Sequence, residues 1–251
     1  MNSKRNINRF DSLVEKLTHE YLKIPNFHLT KDDNTSNKVF SMIIFRTADI
    51  SSYKELVNNH FILATTRAIA LDKRDLQKSR HKDLIKLNQI EFDETLYDTI
   101  RVSYVGLFHK FENYINDVIL IPELIFGDFG EINDGFYKWA REIFEFDIKD
   151  WRQFKLIHII NWICNCVKHK DGFPTKDLKP IGYENLDQYQ RIRIKPDEFK
   201  RDCEALIEFY PHYLRTFLLI AQHKAAKESL DSTFEDIKSE LTNKLDNVKM
   251  L

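Results

Sequence analysis

The stretch Cys164-Asn165-Cys166-Val167-Lys168-His169-Lys170-Asp171-Gly172 holds the densest set of groups in this sequence that could do chemistry. On a helix, Asn161, Asn165 and His169 fall four apart and share one face, and Lys168 lies three residues from Asn165. Asn165, Lys168 and His169 can therefore converge on one point. An imidazole titrates near neutral pH and can act as general acid or base, while a lysine supplies fixed positive charge for a phosphorane-like transition state. That pairing suits metal-independent cleavage of RNA, in which the 2′-hydroxyl attacks its own phosphate. The same residues also spell a plain helix stop. Lys168, His169 and Lys170 oppose the negative end of the helix dipole, and Asp171-Gly172 ends the helix.

A second kind of chemistry is electrostatic. Between residues 73 and 86, Lys73, Arg74, Lys78, Arg80, Lys82 and Lys86 stand against Asp75 and Asp83. Such a block can track a phosphate backbone, or it can be a solvated helix face. Arg191 and Arg193, with Lys195 and Arg201 nearby, pose the same choice. The formal net charge is −1, so nucleic-acid binding would have to use local patches like these. No metal-ligand spacing, glycine-rich phosphate loop or nucleophile elbow occurs, so neither a metal nor a cofactor is expected. Cys164 and Cys166 would diverge on a helix and read as small packing residues.

Long helices must position these groups. The chain has only 6 Gly and 6 Pro in 251 residues, too few for the frequent turns of a sandwich or barrel. An all-α multi-helix bundle is expected, with at most a short β element near 190–195, where Gln190-Arg191-Ile192-Arg193-Ile194 alternates polar and apolar. Apolar stripes predict helices over 8–22, from a Ser51 or Ser52 cap to about Asp75, over 93–119, and as a hairpin over 136–146 and 150–170. Pro25 to Asn37 reads as a loop, and Val39 to Phe45 as a run that periodicity cannot assign. Pro122 to Gly135 reads as a break. Asp197 can cap a helix that Pro211 kinks or divides in two, and Leu230 to Val248 reads as a last amphipathic helix.

In domain terms, 1–90 reads as an N-terminal helical region, 91–225 as the core and 226–251 as the terminal helix. Three cysteines fit a reducing cytosol, so a cytoplasmic protein is expected, with neither a secretory signal nor a membrane span anticipated from these residues.

The segment Ile163 to Gly172 resembles the signature of HEPN-superfamily proteins, in which a helix late in the bundle carries an Arg, a polar residue and then a His. Asn165 matches the polar position and His169 the histidine. The Asn, Lys-His and Gly order is similar to a variant branch of that superfamily. Phe108-His109-Lys110-Phe111-Glu112-Asn113-Tyr114 is similar to the helix that packs on the signature helix. The two segments together span about a third of the chain, Asp93 to Gly172. The sequence departs from the pattern where the arginine belongs: Cys164 stands there, or Trp162 or Ile163 under longer spacing, with Lys168, Lys170 or Arg152 as candidate substitutes.

The resemblance implies a helical protein acting on RNA. His169 would be the acid/base, Asn165 and Lys168 its helpers, and Lys73, Arg74, Lys78, Arg80, Lys82, Arg191 and Arg193 would hold the strand. It also implies a homodimer through the signature-helix face and a role in phage defence or as a toxin. A non-catalytic module binding RNA, a nucleotide or a protein is the alternative.

Overall fold

Segments that carry apolar residues every three to four positions, with few Gly or Pro to interrupt them, fold as helices because one stripe can then leave water. The computed structural model describes residues 33–87, 92–126 and 154–210, and singly residues 11, 12, 14–16, 19, 138, 141 and 142. The chain is an all-α multi-helix bundle, and no strand occurs among the described residues.

Helix α1 spans Asp33–Leu56. It begins within the stretch expected to be loop and absorbs Val39 to Phe45. It also runs straight through Ser51 and Ser52, which are therefore not caps. Ile43, Ile50 and Val57, seven apart, are all buried, and continuing that stripe outweighs the few tenths of a kcal/mol a serine costs inside a helix. Over Val57–Ile62 the helix widens into a π turn. The Asn58 side-chain amide donates to the Lys54 carbonyl at 2.8 Å, which serves a backbone acceptor where the ordinary helical ladder changes step. Helix α2, Leu63–Lys78, follows, and then the short α3, Lys82–Leu87.

Helix α4, Phe92–Phe126, buries Ile100, Tyr104, Leu107, Phe111, Tyr114 and Ile115, the broad stripe its sequence predicts. It continues past Pro122 where a break was expected. A proline inside a helix forfeits one backbone bond and strains the preceding turn, and here the helix carries on around that single defect. Helix α5 spans Phe154–Lys170.

Helix α6 covers residues 196–210. Its start is built differently from the expected Asp197 cap. Pro196 takes the first helical position, where a missing N–H costs nothing, and the Glu198 carboxylate reaches back to accept from the Lys195 N–H at 2.7 Å. Segment 191–195 is extended and alternates as predicted, with Ile192 and Ile194 buried, yet it pairs with no strand among the described residues. The hairpin arm 136–146 is helical at its three described positions. Arg152, Pro211 and the terminal helix lie outside the described residues.

The chain divides into two compact units, each discontinuous in sequence. One comprises Met1–Asp49, Glu112–Phe154 and Ile207–Leu251; the other comprises Ile50–Phe111 and Lys155–Leu206. In the first, Arg46 grips Asp117 with two bonds at 2.5 and 3.3 Å, which raises the arginine pKa. Tyr114 and Tyr210 stack there at 3.7 Å between ring centroids. In the second, Gly106 lets α4 approach Tyr53, because a Cβ at that position would collide with the tyrosine hydroxyl. That hydroxyl donates to the Ser103 carbonyl at 3.0 Å. The candidate site lies wholly within this second unit.

Candidate functional site

Helix α5 sorts its residues by face. Ile157, Ile160, Trp162, Ile163, Cys164 and Cys166 are buried, and burial of each large apolar side chain contributes about 1.5–3 kcal/mol. Cys164 and Cys166 are buried thiols in the core, outside any disulfide, the packing role their type suggests. Lys168, His169 and Lys170 emerge into solvent over the last turn, and Asn165 is half-buried. Among the described residues none of these four polar side chains has a hydrogen-bond or ion-pair partner within the chain.

The helix then stops in a widened turn, in which the Gly172 N–H donates to the Cys166 carbonyl six residues back at 3.0 Å and the Phe173 N–H to the Lys170 carbonyl at 2.9 Å. Asp171 takes the left-handed position usually given to glycine, with φ 53°, and Gly172 follows at φ 83°. A non-glycine residue there is strained by about 1–2 kcal/mol, and an ion pair from Asp171 to Arg191 secures it. The Gly172 carbonyl accepts from the Ile192 N–H at 2.8 Å, so the end of α5 is tied to the extended segment 191–195.

Beneath this end lies Arg101, a residue the sequence reading did not single out. It is only 2% exposed, yet both terminal nitrogens of its guanidinium are engaged. It donates to the Ile192 carbonyl at 2.8 Å, to Glu94 at 2.6 Å and to Asp98. Burial works against its charge, and the carboxylates of Asp98 and Glu94 more than compensate, so its pKa is raised. Its Cδ would stand 2.7 Å from a Cβ built on Gly172, so only glycine fits there. The signal was legible in the spacing: Glu94, Asp98 and Arg101 recur on one side of a helix, acid before base.

Arg191 and Arg193 join the same network. Arg191 approaches Glu94 at 3.8 Å and Asp98 at 3.9 Å, and it lies over the Phe173 ring at 5.4 Å. Arg193 approaches Glu94 at 3.5 Å and lies over the Tyr97 ring at 5.6 Å. Three arginines thus face three carboxylates, Glu94, Asp98 and Asp171, and the local charge is close to balanced. Along this network opens a cavity of about 680 Å³, walled by Phe173, Tyr183, Tyr189, Asn185, Arg191 and Arg193 among others.

The expected strand-holding cations therefore divide. Arg191 and Arg193 are bound to carboxylates, and Lys73 is held by Asp93 at 2.8 Å to both carboxylate oxygens. Arg74, Lys78, Arg80 and Lys82 are exposed, with no ion-pair partner among the described residues. The structure brings His169 and Lys168 to one helix end. It places Cys164, the position at which the HEPN resemblance would call for an arginine, on the opposite, buried side of α5.

A polar core pair sits apart from the helix end. The Tyr104 hydroxyl donates to Asp202 at 2.6 Å. Burial pushes the Asp202 carboxyl above its ordinary pKa, against the pull of the Tyr104 hydrogen bond, and burial raises the Tyr104 phenol well above its own.

Among the described residues, no cluster of His, Cys, Asp or Glu could hold a metal ion, and no helix is long and apolar enough to cross a membrane. Comparison with protein families, with curated proteins and with solved structures finds no match.

Proposed function

We propose that this chain is a HEPN-like protein that acts on RNA through the solvent-facing end of α5. One observation carries the reading: Lys168, His169 and Lys170 project together from a helix whose other face is locked in the core, and no carboxylate among the described residues neutralises them. The buried or half-buried arginines of the neighbouring network, Arg101 and Arg191, and the exposed Arg193 are by contrast matched by acids. A phosphate approaching this end meets uncompensated charge and an accessible imidazole.

His169 would remove the proton from a 2′-hydroxyl or return one to the leaving 5′-oxygen. Lys168 would carry the charge that develops on the phosphorane, and Asn165, one turn back, would hold the phosphate or the imidazole. Arg74, Lys78, Arg80 and Lys82 supply a further basic face for the strand. A homodimer joining two α5 ends would bring two such imidazoles to one cleft, and a toxin or phage-defence role would follow from that activity.

A second reading, a module that binds RNA without cutting it, is favoured by the burial of Cys164. No arginine is displayed from α5, and a lysine cannot reproduce the bidentate grip of a guanidinium on phosphate.

Incubation of the purified protein with total RNA in EDTA decides between them. Cleavage by the wild type that falls by about 10²-fold or more in His169→Ala, and partially in Lys168→Gln, is the expected result for the enzyme. RNA retention without cleavage, unaffected by His169→Ala, leaves the binding module. Absence of both activities defeats the proposal.

A further inference from the structure

We infer that the cavity beside the end of α5 is a nucleobase pocket, and that it holds one unstacked base of a single-stranded RNA whose phosphates reach Lys168 and Lys170. The inference rests on the RNA reading of that helix end and adds a site to it. The cavity, about 680 Å³, falls within the range of small-ligand sites and is large enough for a base with its ribose.

Its chemistry selects what enters. The walls offer flat π surfaces: Tyr189, whose side chain is 79% exposed, Phe173 beneath the Arg191 guanidinium, and Tyr183, whose ring meets Trp162 at 5.2 Å. Such a large exposed aromatic at a cavity mouth is a stacking platform in waiting. Asn185 and Gln190 also line the cavity, and among the described residues neither side-chain amide has a hydrogen-bond partner. Each amide presents one donor and one acceptor group, the pairing that reads a base edge.

The charge balance excludes the obvious rival. With Arg191 and Arg193 already facing Glu94, Asp98 and Asp171, the pocket has no surplus charge with which to draw in a bare phosphate or an acidic peptide. Its selectivity is for a planar, neutral, hydrogen-bonding ring. Surplus positive charge lies at Lys168 and Lys170, and the chain links the two regions directly: Asp171 follows Lys170 and holds Arg191 of the pocket wall. A ligand spanning both needs a ring and a phosphate on one molecule. A strand of RNA and a free nucleotide both answer that description.

The test uses the full chain and fluorescence anisotropy with labelled eight-nucleotide oligo(A) and oligo(U), together with competition by AMP and UMP. Tyr189→Ala is expected to weaken oligonucleotide binding by roughly tenfold without changing its salt dependence, because it removes stacking and no charge. Lys168→Gln with Lys170→Gln is expected to do the reverse, lowering the salt slope by about 1.4 on the single-strand scale. Competition by AMP at concentrations comparable to the oligonucleotide identifies a free nucleotide as the source and keeps the pocket assignment, even if the RNA reading has failed.

Oligonucleotide binding that depends on Tyr189 in a protein that cuts nothing also keeps the pocket and removes only the nuclease. Binding of every probe to Tyr189→Ala and to Asn185→Ala at wild-type strength overturns the inference, as does displacement of the oligonucleotide by an acidic peptide. Circular dichroism of the variants checks that these surface changes leave the fold intact.

Discussion

Two glycines in left-handed backbone make a controlled experiment on the helix end. Gly172 has φ 83° and Gly182 has φ 94°. A Cβ on Gly182 would meet nothing within 4 Å, whereas a Cβ on Gly172 would lie 2.7 Å from Arg101 Cδ and 3.0 Å from its Nε. Gly182→Ala therefore carries backbone strain alone, about 1–2 kcal/mol. Gly172→Ala carries the same strain and also displaces an arginine held by three partners. Losing one charged hydrogen bond there costs a further ~1.5–3 kcal/mol, for a total near 3–4.

At roughly 2–4 °C per kcal/mol for a chain of this size, Gly172→Ala should lower Tm by about 10 °C and Gly182→Ala by about 4 °C. Arg101→Ala separates the two contributions. In that background the colliding Cδ and Nε are gone, so adding Gly172→Ala should cost only the backbone strain, and the double-mutant cycle should show a coupling of about 1.5–3 kcal/mol. Additivity within about 0.5 kcal/mol would refute the claim that Arg101 and Gly172 are one structural device.

Two further outcomes follow from the core of the same unit. Asp202 has a folded-state pKa raised by burial, so it binds its proton more tightly in the folded chain than in the unfolded one. Its favourable contribution is then fully present below the ordinary aspartate value and is lost as pH rises through the raised one. Asp202→Asn keeps an acceptor for the Tyr104 hydroxyl and abolishes that loss, so urea melts should find the variant as stable as wild type or more so at pH 7, with the advantage vanishing by about pH 3. An advantage that grows as pH falls would reverse the sign and sink the assignment. The thiols of Cys164, Cys166 and Cys203 are all buried, and burial pushes the last two upward in pKa. All three should resist a thiol reagent at pH 8 in the native protein and react together in urea; one fast native thiol would contradict the packing described.

What the sequence disclosed depended on how local the physics was. The broad stripe of α4 and the stop at Asp171-Gly172 are periodic or adjacent features, and they appear where spacing places them. Ser51 and Ser52 misled because a cap signature is local, whereas burial of Ile43, Ile50 and Val57 is decided by distant neighbours. The Lys195 to Glu198 capping box was overlooked for the opposite reason: Pro196 marks a first helical turn, and the acid two residues after it was the cue. Arg191 and Arg193 read as free strand-binding cations because their partners, Glu94 and Asp98, lie almost a hundred residues earlier in the chain. Tyr183 and Tyr189 carried no periodic signal at all, since a loop positions them through turns such as the Tyr183 N–H to Pro180 carbonyl bond at 3.0 Å.

Under the proposed reading, the absence of an arginine at position 164 follows from the geometry of the helix end. At about 100° per residue, position 164 lies some 140° around the helix from position 169, so a group there and His169 cannot share a face. In this chain position 164 is fully buried, and a cationic side chain there would have to displace core packing to reach solvent. Charge beside His169 must therefore come from its immediate neighbours, Lys168 and Lys170. The arginines nearby have a different occupation: Arg101 and Arg191 are spent on holding Glu94, Asp98, Asp171 and the Ile192 carbonyl in place. Cations that build the platform and cations that are left to meet a ligand are distinct sets, and only the partnerless set is available for phosphate.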